Sequence, residues 1–324
     1  MRCFDMVHRF LRCTIDGLPS TSSAGADATL HCHYNAGLFP ISFHRIWCRH
    51  STGRLAPKNM TKPILHFAHA NSFPAGSYRI FFAHLRQHYD VQALALHAHN
   101  PRYPVRDGWR ELARELLDEL VARYDEPVIL AGHSMGGILS LMVAQARPDL
   151  VRCVVLLDAP VVAGWRAALL GIAKALGADG KFSPAQFSER RRKLWPDAEA
   201  AYQHYAAKDM FAIWPPEVLR DYVEHGLVAH PEGVTLRFTR ETETAVYRSL
   251  PHHVGALVRR SFPTPVGFVG GVDSVECRQA GMAATRRLVG SHLKLVPGGH
   301  LFPMEAPALA AGALHEMIQS LLPS

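Results

Sequence analysis

From residue 60 onward, short apolar runs alternate with longer stretches of helical period. Residues 64–68, 91–96, 128–132 and 151–158 read as buried strands, and residues 77–88 and 108–124 read as the helices between them. Strands and helices alternating at this length predict a mainly parallel sheet covered by helices on both faces, with its site at the carboxyl ends of the strands. After Pro160 the alternation stops, and residues 165–176, 184–194, 198–208 and 216–225 all carry helical patterns. Strands resume at 265–270 and 292–296, and a helix over 308–322 closes the chain. The expected fold class is therefore α/β, with a core of residues 60–160 and 258–324 split by an inserted helical lid, residues 161–257.

Residues 1–59 break this pattern. They show little sustained periodicity, and residues 20–28 form a small-residue, linker-like stretch. Cys3, Cys13, Cys32 and Cys48 fall here, leaving Cys153 and Cys277 for the rest of the chain. The segment holds seven Lys/Arg against three Asp, so it carries four of the seven net positive charges. It is read as a poorly structured extension, with Met60 as a possible true start; the mature mass of the native protein tests that hypothesis. The spacing around His31-Cys32-His33 matches no paired-ligand zinc pattern, so no metal is expected there.

Composition narrows the class. Of 324 residues, 48% are hydrophobic and 19% charged, which suits a folded enzyme and is too apolar for disorder. No apolar segment approaches the roughly 20 residues of a membrane helix. Arg2, Asp5, His8, Arg9 and Arg12 interrupt the first residues, so a signal-peptide core is missing and a cytoplasmic enzyme without a membrane partner is expected. The one dense basic run, Glu189-Arg190-Arg191-Arg192-Lys193, has no aromatic stacking platform beside it. It reads as a solvated helix face, and no nucleic-acid partner is expected.

The strongest chemical signal is Gly132-His133-Ser134-Met135-Gly136-Gly137, set between the strand 128–132 and the helical stretch 138–146. Glycines two before and two after Ser134 are what a tight strand-to-helix turn needs, since side chains there would crowd the reversing backbone. Such a turn lifts the serine hydroxyl above the strand end. The N–H groups opening the following helix then favour negative charge in the same space. This G-x-S-x-G pattern is a nucleophile elbow.

Residues 64–322 resemble the lid-bearing serine hydrolases of the α/β-hydrolase family. Four stretches carry the resemblance: Phe67-Ala68-His69-Ala70-Asn71-Ser72-Phe73-Pro74, the elbow, residues 266–273, and Val296-Pro297-Gly298-Gly299-His300-Leu301-Phe302-Pro303. It implies Ser134 as nucleophile and His300 as its base, with no cofactor and no metal. Asp273, closing the segment that begins at Val266, is the favoured acid because it keeps the order Ser, Asp, His and lies close to His300 in the chain. Asp158 is the alternative acid, since it too ends a strand. The resemblance further implies an oxyanion hole formed by the backbone N–H groups of Met135 and Asn71. Its usual His-Gly reads His69-Ala70 here, and His69 is expected to brace that loop by hydrogen bonding.

Serine at the elbow argues against dehalogenase and epoxide chemistry in this family, which use aspartate there. The expected reaction is hydrolysis of an ester or related acyl bond of a small, fairly apolar substrate; C–C hydrolysis, thioester hydrolysis and acyl transfer share the same triad. Trp165, Trp195, Trp214, Phe182, Phe187 and Phe211 lie in the insertion, and Trp165 and Trp214 together with Phe302 are the pocket candidates. Two readings of other classes stand beside this one: a non-catalytic ligand receptor on the same fold, and a metallohydrolase using His97-Ala98-His99. The second lacks the Asp-His continuation a binuclear site would want, because Asn100-Pro101 follows.

Overall fold

The computed structural model describes residues 62–176, 184–259 and 261–322. The extension 1–59, with its cysteines, and Phe182 lie outside the described residues.

The apolar runs become strands almost where their pattern places them. In chain order the elements begin with β1 (Ile64–Ala68), α1 (Arg79–Leu85), β2 (Asp90–Ala93), α2 (Arg110–Arg123), β3 (Val128–His133), α3 (Met135–Ala146) and β4 (Val151–Leu157). The insertion follows with α4 (Gly164–Ala175), α5 (Ala185–Arg190), β5 (Leu194–Trp195), α6 (Ala198–Ala206), α7 (Asp209–Ala212), α8 (Pro216–Gly226), β6 (Leu227–His230), β7 (Gly233–Leu236), α9 (Arg240–Arg248) and α10 (Val254–Leu257). The core resumes with β8 (Val266–Gly271), α11 (Val275–Ala280), α12 (Ala283–Val289), β9 (Leu293–Val296), α13 (Phe302–Glu305) and α14 (Pro307–Leu321).

The main sheet has six strands in the order β2-β1-β3-β4-β8-β9, all paired in parallel. Both of its faces are buried. Alternate residues of one strand serve opposite cores: Ile129 and Ala131 pack with Phe67, Val155 and Leu314, while Val128 and Leu130 pack with Leu116, Leu139 and Val154. Two-sided burial explains why these strands read as continuous apolar runs rather than as alternations. Burying a leucine or phenylalanine side chain contributes about 1.5–3 kcal/mol, so the two cores hold the strand ends in fixed register beneath the site.

The insertion is mostly helical, and it also carries a small antiparallel sheet of β5, β7 and β6 in that order. One expectation for it needs correction: the basic run 189–193 is not a uniformly solvated helix face. The helix ends at Arg190, and Arg191 turns inward to pair with Glu243, whereas Lys193 stays at the surface with Glu241. No helix among the described residues is long and apolar enough to cross a membrane.

Candidate active site

Ser134 sits between β3 and α3 at φ 51°, ψ −114°, a conformation that L residues adopt only under strain. Three close approaches require the glycines around it. A Cβ on Gly136 would lie 2.0 Å from the Ala68 carbonyl oxygen, one on Gly132 would lie 2.3 Å from the Gly136 carbonyl carbon, and one on Gly137 would lie 2.5 Å from Ala159 Cβ. The elbow is also tied sideways, because the Ser134 N–H donates to the Leu157 carbonyl at 2.9 Å. Met135 is the first residue of α3, so its N–H is among those a helix leaves without an intrahelical partner.

His300 lies just past β9, in a loop that turns at Gly298 with φ 118°. Its Nδ1 is 2.7 Å from Asp158 Oδ1, and Glu276 Oε2 lies farther off, at 3.9 Å. Asp158 follows directly on β4, is fully buried and has φ 42°. Its carboxylate also accepts the Gly271 N–H at 2.8 Å, the Ser274 hydroxyl at 2.6 Å and, more weakly, the Cys277 thiol at 3.4 Å. Burial opposes its charge, but the His300, Ser274 and Gly271 contacts outweigh that and hold its pKa below the usual carboxylate range. An ionised Asp158 accepts a hydrogen bond from the Nδ1–H of His300, which leaves Nε2 as the ring's proton acceptor.

The pairing of His300 with Asp273 is therefore not the one the fold makes. Asp273 is exposed, and its backbone N–H donates to the Gly298 carbonyl at 3.0 Å. The reason lies in the sheet order. The loop carrying His300 crosses the end of β8 so closely that a Cβ on Gly271 would meet the Gly299 carbonyl oxygen at 2.2 Å. The imidazole thus reaches past β8 to the end of β4, where Asp158 waits beside the elbow strand.

Two residues that sequence reasoning passed over anchor this arrangement. His133 Nε2 lies 2.9 Å from the His300 carbonyl and its Nδ1 lies 2.8 Å from the Tyr78 hydroxyl, which in turn accepts the Ala70 N–H at 3.2 Å. A carbonyl only accepts, so Nε2 carries the proton and Nδ1 accepts from Tyr78. Burial, with the neighbouring His300, pushes the His133 pKa down to about 3 and keeps this tautomer neutral. The chain joins the loop after β1 to the loop after β9 beneath Ser134. Its only sequence signal was the histidine inside the elbow motif.

The loop after β1 is braced as expected. His69 donates from Nδ1 to the Ala70 carbonyl at 2.8 Å and accepts the His97 N–H at Nε2, also at 2.8 Å. Burial and the His97 ring hold its pKa well below the usual histidine value. Asn71 is buried, and its side-chain amide donates to the Glu243 carbonyl at 3.2 Å. Ser72 follows at φ 75°.

The pocket candidates separate. Trp214 is buried and packs on Phe73 at 6.2 Å between ring centroids, next to the loop that carries Asn71. Phe302 is enclosed in the core, as are Trp195 and Phe211. Trp165 points outward on α4, 65% exposed, with Arg166 over its ring, and Phe187 is similarly exposed. His97 and His99 do not converge as metal ligands. His99 donates from Nδ1 to the His97 carbonyl and accepts the Thr239 N–H at Nε2, while His97 is fully buried with Nδ1 3.5 Å from Glu115. The Asp158, Glu276 and His300 cluster has metal-ligand spacing, as do Asp221, Glu224 and His225. The first already forms the hydrogen-bonded pair above, and Asp221 is held by Arg79 at 2.8 Å.

Similarity to known proteins agrees with this architecture. Residues 67–313 match the model described as the alpha/beta hydrolase family. Among curated proteins no sequence matches. Solved structures similar to this chain include E-2-(acetamidomethylene)succinate hydrolase, at 22% identity and a TM-score of 0.64, covering 80% of this chain and 92% of that one. A peroxisomal alpha-beta-hydrolase of Saccharomyces cerevisiae aligns at 18% identity and TM-score 0.63, over 82% of this chain and 78% of its own. An esterase of M. tuberculosis aligns at 19% identity and TM-score 0.58, over 80% and 86%. At these identities the structures speak for the fold. The family match spans most of the sequence, and with it the chain belongs to the alpha/beta hydrolase family.

Proposed function

We propose that the protein is a serine hydrolase acting on an ester or related acyl bond of a small, fairly apolar substrate, with Ser134 as nucleophile, His300 as general base and Asp158 as the acid that orients it. The observation that carries this reading is the His300–Asp158 pair, held against a strained serine elbow by His133. In the first step Ser134 Oγ bonds to the substrate's carbonyl carbon while its proton passes to His300 Nε2. Asp158, accepting from Nδ1, stabilises the imidazolium that forms. The N–H groups of Met135 and Asn71 receive the negative oxygen. Collapse breaks the bond to the leaving group, which takes the proton from His300. Water, deprotonated by the same imidazole, then releases the acid and restores the serine.

Residues 161–257 act as a lid in this reading, with Trp214 and Phe73 as apolar neighbours of the loop that carries Asn71. The similarity to an esterase and, at 19% identity, to a thioesterase domain of the curacin biosynthetic pathway supports acyl chemistry as the class. The test is a turnover screen over p-nitrophenyl esters of graded chain length, thioesters and vinylogous diketones, with Ser134→Ala as control. Ester turnover that vanishes in Ser134→Ala is expected. Turnover that survives this substitution would refute the assignment.

A further inference from the structure

Arg191 is the most heavily committed cation among the described residues, and the mechanism above does not use it. It follows directly on α5, and its side chain is only 17% exposed. Nη1 donates to Ser72 Oγ at 2.5 Å and to Glu243 Oε2 at 2.6 Å, and Nη2 donates to the hydroxyls of Tyr205 and Tyr222, each at 3.0 Å. The guanidinium therefore gathers α6, α8 and α9 of the insertion and joins them to a loop of the core.

That loop is the one that follows β1. Ser72, whose hydroxyl oxygen accepts the hydrogen bond from Arg191, is the residue after Asn71 and is held at φ 75°. Asn71 in turn donates its side-chain amide to the backbone carbonyl of Glu243, the residue whose carboxylate pairs with Arg191. The contacts close a ring: Arg191 to Ser72, along the backbone to Asn71, across to Glu243 and back to Arg191. Asn71, Ser72 and Glu243 are all buried. A fork of fixed planar geometry, satisfied on both arms, sets the positions of its partners more tightly than a flexible ammonium could.

We propose that Arg191 is a positioning residue for the oxyanion loop: through Ser72 and Glu243 it fixes the backbone of Asn71 and makes the loop's reactive geometry depend on the insertion being seated. The proposal rests on the reading of Ser134 as nucleophile and Asn71 as an oxyanion donor. A displacement of about 1 Å in a group that stabilises the transition state costs on the order of 100-fold in rate. The effect therefore falls on kcat more than on KM.

Removing one member of a buried ion pair can unfold a protein, so the test uses variants that avoid an orphaned charge. Ser72→Ala removes only the hydroxyl that Arg191 grips, and the double variant Arg191→Met/Glu243→Met removes the pair while keeping the Glu243 backbone carbonyl. Arg191→Lys keeps the charge without the fork. For each, kcat and KM on p-nitrophenyl butyrate, the rate constant for fluorophosphonate labelling and the melting temperature are measured. Expected is a drop of about 10- to 100-fold in kcat and in labelling rate, with little change in KM, for Ser72→Ala and for the double variant even where its melting temperature matches the wild type. Arg191→Lys should recover only part of the loss. Wild-type kcat and labelling rates in the folded variants would overturn the proposal while leaving Ser134 as nucleophile. A wild-type protein that the fluorophosphonate does not label would overturn both.

Discussion

Asp158 and His300 lie 142 residues apart in the chain and 2.7 Å apart in the fold. The contact spans the insertion and three neighbouring strands, since β4 leads into Asp158, β8 lies beside it and β9 leads to His300. Around the pair, the Gly271 N–H and the Ser274 hydroxyl also donate to the carboxylate, and the imidazole is its third strong donor. A buried carboxylate in this setting can stay ionised and hold one tautomer of the histidine.

Asp158→Asn reverses that tautomer preference and is expected to lower kcat by about 10⁴-fold with the fold retained. Asp273→Asn, on the exposed turn after β8, is expected to stay within a few-fold of wild type. Steady-state kinetics of the two variants side by side check this. The opposite ranking would return the acid's role to Asp273.

The rate should depend on pH through His300. Burial opposes its charge, but the hydrogen bond to Asp158 and the carboxylates of Glu276 and Glu305 outweigh that and raise its pKa above 6.5. Only the neutral imidazole accepts the serine proton, so the acid limb of kcat/KM should have its midpoint above 6.5. Glu276→Gln removes one of the charges raising that value and should move the limb to lower pH. A pH–rate profile of both proteins measures the shift, and an unmoved limb would deny Glu276 its electrostatic part.

Gly136→Ala should be severe. Its added Cβ would meet backbone, the Ala68 carbonyl oxygen at 2.0 Å, at the root of the loop proposed to supply the Asn71 N–H. Overpacking of this kind costs about 1–3 kcal/mol, and the displaced loop should lose on the order of 100-fold in rate. Thermal melting and ester turnover together check it.

Acid should destabilise the fold earlier than carboxylate titration alone would. His66, His69 and His133 are fully buried. Burial holds His66 and His133 down at about 3 and His69 well below its usual value. Below pH 6.5 the unfolded chain binds protons that these folded side chains refuse, so their stabilisation is present above 6.5 and falls as pH drops from 6.5 toward 3. Three such groups give a slope of up to roughly 4 kcal/mol per pH unit. His300 acts in the opposite sense, contributing stability below 6.5 that is lost as pH rises through its higher folded value. Denaturant midpoints at pH 7.5, 6 and 5 test the slope; a flat series would contradict it.

Much of this was legible in the chain because two-sided burial writes strands as apolar runs, and because Gly132 and Gly136 mark a turn no other residue tolerates. The small sheet of the insertion was not, since strands of two to four residues are too short to show an alternation. Asp273 looked better placed than Asp158 by nearness in sequence, yet parallel strand order sets nearness in space, and β4 is the strand beside β3. Arg191 was hidden among basic neighbours. Its inward turn comes from α5 ending at Arg190, and its partners Ser72 and Glu243 lie 119 and 52 residues away.

Ser134 is the residue on which the proposed chemistry depends most directly. Incubating the protein with a fluorophosphonate and mapping the adduct by mass spectrometry should give one phosphonylated serine, Ser134. Ser134→Ala and heat-unfolded protein should give no adduct. A folded, unlabelled wild type, or an adduct that persists in Ser134→Ala, would contradict it.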